Sequence, residues 1–218
     1  MKRSFSLMRL TLLYAALALA GCADQPLRQR NDDAFRRSQP VSILVLPPAN
    51  GSPDVRAPYS VLATVTRPLA EAGYYVYPVA LVEQTFREHG LAAPGEAQQV
   101  EPAKLREMFG ADTALYLEVE KYGASFALID SVVEVEASGR LVDLRTGDIL
   151  WQGRASASDA ENRKTEGSLL SMVVGAVVRQ VVNSQGDPGY PVARMTMMRM
   201  LGPGSLPPGP HLAGKGKR

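Results

Sequence analysis

An apolar stretch from Leu10 to Ala20 runs through Gly21 into Cys22, the only cysteine of this 218-residue chain. The stretch is about half the ~20 residues that a helix needs to span a bilayer. Lys2 and Arg3 precede it, and small residues stand just before the cysteine. A basic start, a short apolar core and small residues at a cut describe a secretory signal peptide. Residues 1–21 therefore contribute nothing to the fold, which must be built from residues 22–218. No later apolar run reaches ~18 residues, which excludes a polytopic membrane protein. With one cysteine there is no intramolecular disulfide and no cysteine-based zinc site. Apolar residues at 45% and charged ones at 21% match a globular domain and exclude wholesale disorder.

Leu19-Ala20-Gly21-Cys22 resembles the bacterial lipobox. The motif implies that Cys22 is thioether-linked to diacylglycerol, that the signal is cut before it, and that its amine is acylated. Two or three acyl chains anchor a protein stably where one does so only marginally. The second mature residue is Ala23 rather than Asp, which implies delivery to the outer membrane. Lys2, Arg3 and Arg9 leave with the signal, so 21 basic residues face 22 acidic ones in the remainder. Such a balance offers no broad electrostatic footprint for nucleic acid.

Residues 22–40 are polar, of mixed charge, and include two prolines. They read as a lipidated flexible tether; the 18 residues after Cys22 span roughly 25 Å root-mean-square. The domain is expected over 41–185. Val41–Leu46 is a short β-branched run stopped by Pro47-Pro48, a buried strand. Tyr59–Ala72 is helical in spacing with Pro68 kinking or splitting it, and Gly73 closes it. Tyr74–Tyr77 is a second strand ended by Pro78, Val79–His89 a helix closed by Gly90, and Pro102–Phe109 a helix with proline in its first turn and Gly110 at its end. The period then changes. Leu115, Leu117 and Val119 alternate with Tyr116, Glu118 and Glu120 as in a half-buried strand. Phe126–Ser138 and Leu141–Leu144 continue in strand chemistry, Asp143–Asp148 is a hairpin turn, and Ile149–Gln152 returns. Leu170, Val173, Val174, Val177, Val178 and Val181 make one apolar stripe on a helix over 166–183, read as domain core in preference to an oligomer seam. The sum is an α/β sandwich: a mixed sheet with a C-terminal antiparallel meander, covered by helices. Residues 186–218 are expected to be an irregular, disordered tail, with Met195–Met200 as a short docking segment.

No catalytic constellation stands out. His89 lies at a predicted helix end, where a capping or surface role fits; His211 lies in the Pro/Gly-rich tail. No nucleophile elbow, Walker loop or dinucleotide fingerprint occurs in a strand-to-helix context, and no cofactor is implied. The acidic residues Glu118, Glu120, Glu134 and Glu136 fit a solvated sheet face interspersed with Lys121 and Arg140 better than a calcium cage, which takes its ligands from Asp- and Asn-rich loops. Tyr74, Tyr75 and Tyr77 form a dense aromatic cluster, with Tyr75 and Tyr77 on one side of the strand and Tyr74 on the other. They are the candidate partner-binding residues, since tyrosine is favoured at interfaces. Trp151 is expected in the core.

Several segments together carry a family resemblance: Pro68–Val76 (PLAEAGYYV), Pro78–Val82 (PVALV), Phe109–Asp112 (FGAD), Lys121-Tyr122-Gly123, Leu141–Gly147 (LVDLRTG) and Leu150–Gly153 (LWQG). From about Val41 to Asn183 the chain resembles a bacterial lipoprotein family of unknown function typified by a genome-derived neisserial vaccine antigen. That resemblance implies a fold similar to small periplasmic assembly domains, such as the N-terminal domain of the Tol-system translocation protein. It also implies company with other envelope lipoproteins, among them a curli-secretion-type lipoprotein. It carries over no catalytic residue. The expectation is a non-enzymatic outer-membrane lipoprotein whose periplasmic domain is a scaffold or assembly partner in a secretion-type envelope complex, held to the membrane through the acyl chains on Cys22 and compatible with homo-oligomerisation. Rival expectations are a lipoprotein regulator of a peptidoglycan-synthesising enzyme and a small-ligand-binding periplasmic domain.

Overall fold

A computed structural model describes residues 27–91, 93–126, 131–163 and 187–213. Its centre is one seven-stranded mixed sheet with spatial order β1-β7-β6-β5-β2-β4, and β3 paired to β5. The strands are β1 (Leu27–Arg30), β2 (Ser42–Val45), β3 (Ala49–Asn50), β4 (Tyr75–Val76), β5 (Thr113–Phe126), β6 (Ser131–Asp143) and β7 (Ile149–Ser158). The helices are α1 (Asp32–Ser38), α2 (Ala57–Glu71), α3 (Val79–Glu88), α4 (Pro94–Ala97), α5 (Pro102–Phe109), α6 (Ala160–Arg163), α7 (Gly189–Leu201) and α8 (Pro210–Ala213). β2 is parallel to β4 and β5, whereas β5, β6 and β7 form the expected antiparallel meander. The meander follows from period-2 patterning and a turn in which the Asp143 carboxylate accepts from the Arg145 and Thr146 amides at 2.7 and 3.2 Å, with Gly147 at φ 78°.

Helices lie on both faces of the sheet. On one face Ile43, Val45, Leu115, Leu117, Val135 and Trp151 pack with Val61, Val65 and Leu69 of α2 and Met197 and Met200 of α7. On the other, Leu44, Leu46, Ala114 and Tyr116 meet Val82 and Phe86 of α3 and Leu105 of α5. β5 is therefore covered on both sides at its start, not half-buried; Tyr116 points into the second core. The Trp151 ring lies against Gly153, where a Cβ would come within 2.4 Å of the indole. α2 runs unbroken through Pro68, whose ring is itself buried.

Both ends of the domain depart from the expectation. The tether expected over 22–40 is ordered from Leu27: β1 pairs antiparallel with β7, and α1 buries Ala34 and Phe35 in the main core. Its sequence explains this, with Asn31 as N-cap accepting from the Ala34 amide at 3.0 Å, Asp32 and Asp33 in the first turn and Arg36 and Arg37 in the last. The tail expected to be irregular after residue 186 instead carries α7, with Val192, Ala193, Thr196, Met197, Met200 and Leu201 buried. Those positions recur at i, i+1, i+4, i+5, i+8 and i+9, one helical face. Beyond α7 the chain straps across the end of α2: the Gly209 amide donates to Ala72 O at 2.7 Å and His211 N–H to Gly73 O at 3.2 Å. The amphipathic helix expected over 166–183 lies outside the described residues, as does Cys22.

Candidate interaction surface

Gly73, at φ 92°, turns the chain from α2 into β4. Proline ends the strand two residues after Val76, which leaves β4 as a very short edge. Alternation then separates the three tyrosines. Tyr74 turns into the main core and is almost fully buried; its hydroxyl donates to Pro207 O at 2.8 Å, and burial pushes its pKa up to about 12. Tyr75 is 49% exposed and meets Tyr77 edge to face, ring centroids 5.2 Å apart. Val41, 46% exposed, lies alongside, since the Tyr75 amide donates to Val41 O at 3.0 Å. The three tyrosines thus do not form one surface: Tyr75 is exposed, Tyr77 is half-buried against the second core, and Tyr74 is a structural anchor for the C-terminal strap.

The base of the patch is rigid. Asp112 Oδ2 accepts from the Val41 and Ser42 amides at 3.1 Å each and from the Ser42 hydroxyl at 2.9 Å. This clamps the entry of β2 against the entry of β5. Beside the patch is an apolar cleft of about 740 Å³, formed by Phe35, Pro40, Val41, Tyr74, Leu206 and Pro207 with Arg30 and Arg36 at its rim. Its walls come largely from the two segments that the sequence pattern reads as tether and tail, which is why no local signal points to it. A second, polar concavity of about 560 Å³ lies on the face of the meander that carries Tyr116, Arg140 and Gln152. One cross-strand row, Tyr116–Arg140–Gln152–Gln29, forms part of its floor, with the Arg140 guanidinium 4.7 Å above the Tyr116 ring centre.

The acidic stripe is neutralised by neighbouring cations. Lys121 Nζ lies 2.9 Å from Glu136 and 3.4 Å from Glu134, while Arg154 bonds Glu136 at 2.8 Å and also pairs with Glu120. Lys121 above all holds the Glu136 carboxyl below its ordinary pKa. Glu118 is exposed on the same face. Among the described residues no group of three or more His, Cys, Asp or Glu side chains converges as metal ligands do. His89 sits at the C-cap of α3, its ring Nδ1 2.8 Å from Thr85 O. No helix among the described residues is long and apolar enough to cross a membrane.

Comparison with known proteins places this geometry in context. The family described as "Putative lipoprotein GNA1162-like" matches residues 31–211. Lipoprotein NMB1124/NMB1162 of Neisseria meningitidis serogroup B is 45% identical over 191 residues, covering 88% of each chain. The crystal structure of lipoprotein GNA1162 from Neisseria meningitidis is 47% identical, with a TM-score of 0.54 over 66% of this chain and 99% of that one. The LpoB C-terminal domain from Salmonella enterica is more distant: 16% identity and TM-score 0.41 over 57% of this chain and 90% of that one.

Proposed function

The chain belongs to the GNA1162-like lipoprotein family, and from that premise we propose that it is a non-enzymatic, lipid-anchored scaffold of the outer membrane, its domain in the periplasm. The acyl chains on Cys22 confine it to a thin layer, which raises its effective concentration for partners anchored in the same membrane. The domain supplies the contact, through Tyr75, Tyr77 and the β4 edge. The observation that carries this is the exposed aromatic edge at Tyr75, on a base clamped by Asp112. Other envelope lipoproteins are the natural partners of such a surface.

A regulator acting on a peptidoglycan-synthesising enzyme must reach away from the membrane. Cys22 is five Cα steps from Leu27, a maximum of about 18 Å, and this short leash opposes that reading more strongly than an 18-residue tether would. The test is metabolic labelling with palmitate followed by density-gradient separation of envelope membranes. Wild type is expected to be labelled and to travel with the outer membrane; Cys22→Ala is expected to be unlabelled. Label on the Cys22→Ala chain, or wild type in the inner-membrane fraction, would overturn the anchoring or its address.

A further inference from the structure

We propose that the corner between α1 and the C-terminal strap docks on anionic phospholipid of the membrane that holds Cys22, a second contact that orients the anchored domain; this rests on the anchored reading above. Two segments of the chain, 22–40 and 202–218, meet at this corner. Together they carry seven basic residues against three acidic ones, whereas the rest of the mature chain carries 14 against 19. The near-neutral total therefore conceals an uneven distribution. Arg30 and Arg36 stand at the rim of the cleft, paired with Asp32 and Asp33. Most of the surplus is Lys215, Lys217 and Arg218, which follow Ala213 of α8 by five residues at most, a reach of about 18 Å. Near an anionic lipid surface each such cation tightens the contact about fivefold.

The apolar part lies between the same two segments. Phe35 of α1 and Leu206 of the strap, both buried, line the 740 Å³ cleft together with the more open Val41, Pro207 and Pro208. A smaller apolar hollow of about 200 Å³ shares Gly204, Leu206 and Pro208 with it and extends the surface to the exposed Leu212. The walls are preset: the Gly209 amide donates to Ala72 O, the Tyr74 hydroxyl donates to Pro207 O, and prolines stiffen the strap. Docking therefore orders little chain. Arg30 is three residues along β1 from Leu27, roughly 10 Å, and Cys22 stays within about 18 Å of Leu27. The leash is thus longer than the distance to the rim, and the lipid surface can reach it. Interfacial binding draws on buried apolar area together with attraction to anionic lipid, and both are present at one corner. Alone this contact is weak and reversible; the acyl chains supply the effective concentration. Tyr75 lies beside Val41, so a partner anchored in the same membrane meets it at the border of the docked face.

The test reconstitutes the full lipidated chain in vesicles of phosphatidylethanolamine with a minority of phosphatidylglycerol, and in vesicles where phosphatidylcholine replaces the phosphatidylglycerol. A benzoylphenylalanine crosslinker replaces Val41 or Leu212 at the corner, or Val55 or Leu81, which are exposed elsewhere; Val55 precedes α2, at the end of that helix away from the strap. The expected result is lipid adducts at 41 and 212 at least tenfold above those at 55 and 81. They should fall at least tenfold without phosphatidylglycerol, and equally when Lys215→Gln, Lys217→Gln and Arg218→Gln are combined. Equal labelling at all four positions, preference for 55 or 81, adducts to protein at 41 and 212, or lipid adducts indifferent to phosphatidylglycerol or to the three cations would each overturn the proposal and leave the anchor standing. Intact mass separates the two readings: a purified chain without acyl mass overturns the anchored reading, and this proposal with it.

Discussion

Phe35→Ala separates a docked N-terminal segment from a free one, and the length of the membrane leash depends on which it is. Phe35 is 6% exposed and belongs to the main core together with Ala34. Removing a buried phenylalanine costs ~3–5 kcal/mol in a core that cannot collapse. α1 has seven residues, so it can lift away and cap the loss near the lower figure, about 3 kcal/mol. For a domain of this size ~1 kcal/mol corresponds to roughly 2–4 °C, so Tm should fall by about 6–12 °C. Urea unfolding followed by Trp151 emission is the direct assay: the chain has one tryptophan, it is 1% exposed, and it lies opposite Arg30 in the β1–β7 register. A free segment would cost no more than the ~0.5 kcal/mol of an ordinary surface change. A loss that small would refute the packing of α1 and restore the long tether.

Four other perturbations probe separate parts of the molecule. In Gly153→Val the new Cβ would clash with the Trp151 ring at 2.4 Å; overpacking of this kind costs ~1–3 kcal/mol, and a lower urea midpoint with shifted tryptophan emission should report it. Gly209→Ala places a Cβ on the Gly73 carbonyl, so amides of 205–212 should exchange at least tenfold faster while those of α2 do not change. Glu136 is held below its ordinary pKa of 4.5, first by Lys121 and also by Arg154. Its contribution is therefore full above about pH 4.5 and is lost as pH falls through the lower folded value, and Glu136→Gln should flatten the acid limb of a stability–pH curve. Tyr75→Ala should leave Tm within about 2 °C of wild type, as for a surface side chain, while partner capture falls; an equal loss of both would make Tyr75 a packing residue.

Much of the fold is legible in the sequence because the signals are local. The β2 run stopped by two prolines, the glycines closing α2 and α5, and the turn at Asp143–Gly147 each specify one backbone outcome. The departures share a cause. Residues 27–38 and 189–201 are polar or mixed in composition, which points to loop, while the order of their residues points to helix. Asn31, the two following aspartates and Arg36-Arg37 spell a capped helix in dipole order, and Val192 to Leu201 has a helical face of two adjacent rows. Neither segment has enough apolar surface to fold alone; the sheet and α2 supply the missing partner. Of the candidate site, Tyr75 and Tyr77 could be assigned to one side by alternation. That Tyr74 bonds a carbonyl 133 residues away is a long-range fact that no local pattern encodes.

The central claim is that anchoring and recognition act together, and one comparison tests it most directly. Wild type and Cys22→Ala are crosslinked in cells and recovered from membrane and soluble fractions, and the co-purifying proteins are identified. The prediction is that wild type partitions to the outer membrane with envelope lipoproteins and that the variant loses both the membrane and those partners. A soluble variant that keeps the same partners would contradict it, because recognition would then need no anchor.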